Sequence, residues 1–271
     1  VAVQATDGVT VAGTARIDAS GGAGGGQVLV GTTGRGRNQT MARRTIVERG
    51  AEIRADATGT GDGGMLVLNS LERTEMRGTL SARGGSGGGN GGFVELSGQG
   101  VLEAAGTVDV RAPAGTNGEL LIDPDNIIVS DTAPPATPGG LPAGETITVE
   151  ITTATGSVTA DTGAATEWTR ISTTAIENFA GTVTLDAARD IVVDDAINKG
   201  NGGLTLTAGR DVTLRAAVDL AGALNITAAG GIAINADAFA TSMALSAGTG
   251  IAQDEPAWRH ATATGSSSTW P

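Results

Sequence analysis

The clearest pattern lies in residues 181–250, where aliphatic and small polar positions alternate and the alternation itself recurs. Leu185, Leu206, Ile226 and Leu245 head four matching segments, and Ile191, Val212, Ile232 and Ile251 follow at a constant offset. In both series the steps are 21, 20 and 19 residues. Period-two alternation sends one row of side chains inward and the next outward. Ala and Gly between the two strands of each segment let the backbone turn without bulk. One such unit cannot bury its apolar row alone, but copies stacked on one another place aliphatic over aliphatic. A period near twenty, with no long stretch at helical spacing, predicts one coil of a parallel β-helix per unit.

Residues 1–130 repeat at a longer period. Ile17, Ile53, Leu80 and Val108 are the matching positions, 36, 27 and 28 residues apart. Gly-rich turns follow the first three, and a shorter one, Ala114-Gly115-Thr116-Asn117-Gly118, follows the fourth. Each turn leads into a further strand, at Val28-Leu29-Val30, Leu66-Val67-Leu68, Phe93-Val94-Glu95-Leu96 and Leu120-Leu121-Ile122. The long first step implies an insertion at residues 32–44, expected to bulge out as a surface loop. Pro134, Pro135, Pro138 and Pro142 mark a junction, because proline donates no ladder hydrogen bond. The expected organisation is a Gly-rich segment (1–130), a junction with an irregular coil (131–180), the twenty-residue coils (181–253) and a non-repeat tail (254–271). A short helix is expected at residues 173–179. The fold class is therefore all-β, a right-handed parallel β-helix of roughly ten coils, on the order of 50 Å long at the usual strand spacing.

Composition agrees. Of 271 residues 44 are Gly, aromatics are 2% and Tyr is absent. A narrow bore filled by Val, Ile, Leu and Ala has little room for rings. There is no Cys, so disulfides, thiolate metal sites and Cys nucleophiles are excluded. The formal net charge of −12 argues against nucleic acid, which needs a basic face. No apolar run reaches the length of a membrane span. No signal peptide is recognisable at Val1, which lacks an initiator Met, so the chain reads as an internal or processed piece of a longer one.

Several strings resemble the filamentous haemagglutinin-like adhesins, the exoproteins of two-partner secretion systems. They are Ala15-Arg16-Ile17-Asp18-Ala19-Ser20-Gly21-Gly22, Gly61-Asp62-Gly63-Gly64, Gly91-Gly92-Phe93-Val94-Glu95-Leu96-Ser97-Gly98, Gly106-Thr107-Val108-Asp109 and Leu120-Leu121-Ile122-Asp123-Pro124-Asp125-Asn126-Ile127. The coils of residues 181–253 are similar to that family's haemagglutinin-type repeats. The resemblance implies a right-handed β-helix, export through an outer-membrane β-barrel transporter, and a cell-surface or extracellular role in adhesion or matrix. The amino-terminal secretion domain that such a transporter reads is not found here.

Candidate chemistry is sparse. His260 is the only histidine and lies in the tail, so it is read as a solvated residue rather than the base of a triad. No cofactor is expected. Asp190 and Asp211 fall in register, as do Arg189 and Arg210, which predicts a short ladder neutralised by Arg; a calcium site or a polysaccharide-cleaving site are the alternatives. Gly59-Thr60-Gly61-Asp62-Gly63-Gly64 touches the calcium-binding nonapeptide pattern but is not in tandem. Arg35, Arg37, Arg43 and Arg44 form the one basic cluster, on the inserted loop, and either are simply solvated or meet an anionic glycan or a partner protein. Asn38-Gln39-Thr40 and Asn225-Ile226-Thr227 are glycosylation sequons. Trp258 and Trp270 are candidates for an end cap or a subunit contact, because a stack exposes strand edges at its ends. Three functions follow: a structural and adhesive shaft meeting a host-cell or matrix surface, a β-helical polysaccharide lyase or hydrolase, and a filament subunit associating end to end.

Overall fold

The computed structural model describes residues 1–36, 38–99, 101–104, 106–124, 127–131, 146–151 and 167–253. It is an all-β chain in which every pairing between named strands is parallel. The longest sheet has nine strands, ordered Ala2–Val3, Gln27–Val30, Met65–Leu68, Phe93–Ser97, Glu119–Asp123, Thr182–Ala187, Leu204–Ala208, Ala223–Ala228 and Ser242–Ala247. Between successive visits to this sheet the chain passes through a second and a third. The second sheet of the amino-terminal part comprises Gly8–Val11, Arg44–Val47, Arg73–Met76 and Val101–Ala104; the third comprises Arg16–Asp18, Glu52–Arg54, Thr79–Ser81 and Thr107–Asp109. The carboxy-terminal part has a seven-stranded second sheet and a third sheet of Ile197–Lys199, Val218–Leu220 and Ala238–Phe239.

The aligned aliphatics stand over one another. Leu185 pairs with Leu206, Leu206 with Ile226, and Ile226 with Leu245. Ile191, Val212, Ile232 and Ile251 pair in the same order, as do Ile17, Ile53, Leu80 and Val108. Apart from Ile251, which is exposed at the last coil, these columns and their inward neighbours make one continuous apolar core. Small aliphatics fill it because each inward position faces copies of itself above and below, so similar volumes pack without voids.

The junction does not interrupt the long sheet. Glu119–Asp123 pairs directly with Thr182–Ala187, so these two strands are neighbours although residues 124–181 separate them in sequence. Two strands of that stretch, Thr146–Ile151 and Glu167–Ile171, pair with each other, and the latter joins Ile127–Val129 in the seven-stranded sheet. The expected helix is present at Thr173–Asn178, capped by the Ser172 side chain, which accepts from the Ala175 N–H. It packs against Ile197–Lys199, taking the place of a third-sheet strand in that circuit.

One feature was not read from the sequence, and one differs from its reading. The second sheet of the amino-terminal part has no clean apolar row, because its inward positions include Thr45 and Thr74, both fully buried. Thr45 donates to the Asn69 carbonyl at 2.9 Å and Thr74 meets Ser70 at 2.8 Å, so both hydroxyls are satisfied inside. The inserted loop, expected to bulge away, instead folds back. Thr32 and Met41 form an antiparallel bridge, the Thr33 N–H donates to the Thr40 carbonyl at 3.0 Å, and the resulting hairpin is tied to the outside of the long sheet.

Candidate functional site

The outside of the long sheet is where the chain departs most from a plain stack. Leu29, Val67 and Glu95 are in register and alternate with core residues, so they point outward. Yet Leu29 is 9% exposed and Val67 and Glu95 are 0% exposed. The hairpin of residues 31–42 lies over them. Gly36 donates its N–H to Glu95 at 2.8 Å, Ser97 donates its hydroxyl to the same carboxylate at 3.0 Å, and Arg35 ion-pairs with it at 3.4 Å. The Arg35 guanidinium also sits 3.7 Å from the centre of the Phe93 ring, a cation–π contact. Asn69 holds the hairpin from the other side, donating to the Gly36 carbonyl at 3.1 Å.

The arginines of the basic cluster are thus divided. Arg35 serves the buried Glu95, whereas Arg43 and Arg44 both pair with Glu72, and Arg43 lies 3.7 Å from Asp7 as well. The Glu72 carboxylate, as hydrogen-bond acceptor, raises the Arg43 pKa. Arg37 lies outside the described residues, as do Trp258, His260 and Trp270. A Glu95→Ala substitution leaves two donors, the Gly36 N–H and the Ser97 hydroxyl, and the Arg35 guanidinium without their acceptor. It is expected to cost about 2 kcal/mol and to speed tryptic cleavage after Arg35; unchanged melting and cleavage would show that the hairpin is held otherwise.

Beside the hairpin runs an open cleft of about 790 Å³. One wall is the backbone of Gly25, Gly63, Gly91 and their neighbours at the corner between third and long sheets; the other carries Gln27, Met65, Phe93 and Glu119. Side chains are missing from the first wall for a packing reason. A Cβ on Gly63 would lie 2.2 Å from the Ala82 carbonyl oxygen, and one on Gly64 1.9 Å from that of Gly26.

The acids singled out by register are engaged. Arg210 donates through Nε to Asp190 at 3.0 Å and through Nη2 to the other carboxylate oxygen. Asp190 also accepts the Asp211 N–H at 3.2 Å, and Asp211 accepts the Gly231 N–H at 2.7 Å. Each aspartate therefore caps the backbone of the following coil. A second network joins Arg73, Glu75, Arg77 and Glu103, with Arg73–Glu103 at 2.5 Å and Arg77–Glu103 at 2.8 Å, and raises the pKa of both arginines chiefly through their hydrogen bonds to the glutamates. Among the described residues no group of three or more His, Asp or Glu side chains is placed to hold a metal ion. Among the described residues no helix is long and apolar enough to cross a membrane.

One buried group escaped the sequence reading. Lys199 is 0% exposed and shares its column with Leu220. Its ammonium donates to the carbonyls of Ile176, at 3.0 Å, and Phe179, and so closes the carboxy-terminal end of the short helix. The signal was there: residues 197–199 and 218–220 align at the 21-residue step, with Lys where the copy has Leu.

Compared with known proteins, the chain matches no protein family and no curated sequence.

Proposed function

We propose that this chain is a right-handed parallel β-helix acting as a shaft segment of a secreted bacterial surface or extracellular-fibre protein, without catalysis. One observation carries the reading: the long sheet keeps its register from Ala2 to Ala247 through every insertion. Such a stack supplies length and stiffness, and the hairpin folded over it supplies surface. The resemblance to filamentous haemagglutinin-like adhesins supports export through an outer-membrane β-barrel transporter, contact with a host-cell or matrix glycan or protein, and end-to-end association. The engagement of Asp190 and Asp211 by Arg210 and backbone amides favours the shaft over a polysaccharide-cleaving enzyme, whose carboxylates need open access to substrate.

The test has two arms. Purified protein coated on beads is expected to bind host cells or extracellular matrix saturably. Pectin-like, alginate-like and hyaluronan-like polymers incubated with it are expected to keep their length. Depolymerisation would overturn the non-catalytic reading, and beads that bind no better than albumin-coated ones would overturn the adhesive one.

A further inference from the structure

The outer surface of the long sheet changes character along the stack. Beyond the hairpin, four successive strands place residues 182, 184 and 186; 205 and 207; 223, 225 and 227; and 242, 244 and 246 on the outward side. Five of these eleven are Thr, two are Ser and one is Asn; only Asp186 is charged. The outward rows of the second and third sheets of the amino-terminal part instead carry Arg–Glu and Arg–Asp pairs. The central group is Thr205, Thr207, Asn225 and Thr227, flanked by Ser246. Among the described residues no side-chain hydrogen bond occupies Thr205, Thr207, Asn225 or Thr227, whereas Thr184 donates to Glu119 and Thr182 accepts the Gly203 N–H.

The geometry of this grid is fixed by the backbone. Outward neighbours along a strand are two residues, about 6.7 Å, apart, and neighbours on adjacent strands are about 4.8 Å apart. Threonine is β-branched, so its χ1 is stiff and its methyl and hydroxyl groups keep one orientation above the sheet. A rigid two-dimensional array of hydroxyls and methyls at these spacings, close to the oxygen repeats on a prism face of hexagonal ice, can hold water in that lattice at little entropic cost. A long charged side chain in the same place would impose its own hydration shell and disorder the layer.

We infer that the outward Thr/Asn/Ser grid on the carboxy-terminal four strands of the long sheet binds the surface of ice. The inference rests on strand register and composition and does not depend on the adhesive reading. It assigns a ligand to a face beyond the hairpin that adjoins the glycine-walled cleft only at its edge, through Thr182 and the Thr184–Glu119 hydrogen bond.

The experiment is a nanolitre osmometer and ice-recrystallisation assay on the whole chain. Wild type at millimolar concentration is expected to arrest ice growth, facet the crystals and suppress recrystallisation. Thr205→Lys and Thr227→Lys, each checked for an unchanged melting transition, are expected to abolish the arrest; Thr227→Val, which keeps the shape and loses the hydroxyl, is expected to weaken it. Thr213→Lys, on the seven-stranded sheet, is expected to leave it intact. Wild type that behaves as albumin does at equal concentration would overturn the inference. So would lysine variants on the grid that remain as active as wild type, or retention on insoluble cellulose with no effect on ice, which would move the face to sugar polymers.

Discussion

Alanine at Gly91 is expected to destabilise the chain by about 3 kcal/mol, the upper end for forcing atoms into a filled site, while alanine at Gly22 changes almost nothing. Both glycines stand in Gly-rich runs that look alike on paper. At Gly91 an added Cβ would lie 1.8 Å from the Val110 carbonyl oxygen and 2.3 Å from the Gly118 nitrogen. Those two atoms are themselves hydrogen-bonded, at 2.8 Å. The methyl group would therefore wedge open a backbone bond of the next circuit, and neither atom is the end of a flexible side chain that can swing away. At Gly22 nothing lies within 4 Å of the added carbon. Its alanine is expected to stay within about 0.5 kcal/mol of the parent, as exposed substitutions usually do. Urea denaturation of the two variants beside wild type decides the matter. Equal midpoints for the two alanines would mean that the corner glycines are mere spacers and that the close stacking at this corner is not what the sequence protects.

This contrast also shows what could and could not be read from residues alone. The columns of Leu185 and Ile191 were legible because a period of two inside a period of twenty leaves few other structures. The corner glycines were legible as turns, but not as close contacts, since contact depends on the height of the neighbouring circuit. The docked hairpin was missed because its own residues are polar. Its trace lay underneath it: Val28-Leu29-Val30 and Leu66-Val67-Leu68 are apolar without alternation, the mark of strands covered on both sides. Leu29 and Val67 needed a cover, and the insertion was the nearest chain. The second sheet of the amino-terminal part was missed because Thr45 and Thr74 take inward places and find hydroxyl partners there. Of the candidate arginines, the sequence placed four on one loop but could not foresee that a buried Glu95 would take Arg35 away from Arg43 and Arg44.

Lys199 leads to the second large effect, an unusual dependence on alkaline pH. Burial lowers its pKa from 10.5 to about 8, because an ammonium in the bore loses its water. An unfolded chain would hold this proton up to its ordinary pKa. Below pH 8 both states are charged and the folded state bears the whole desolvation cost. Between pH 8 and 10.5 the folded lysine gives up its proton while the unfolded one keeps it, so the unfolded state binds more protons and stability rises with pH. Above that range both are neutral and the cost is gone. The difference of about 2.5 units corresponds to roughly 3 kcal/mol. Lys199→Met, similar in length and without charge, has no such slope. The stability of wild type relative to Lys199→Met is therefore expected to climb by that amount from pH 8 to 10.5, measured by urea denaturation of both proteins at each pH, so that other titrating groups cancel. A flat difference would mean that the carbonyls of Ile176 and Phe179 solvate the ammonium as well as water does. Lys199→Ala separates the lysine's two roles. It removes the charge but leaves a cavity and two helix-end carbonyls without a donor, and it is expected to cost about 3 kcal/mol at neutral pH. The two substitutions together make Lys199 a replacement for the third-sheet strand that the helix displaced. A leucine there would complete the apolar column, but only a long side chain ending in donors can complete the column and also close the helix.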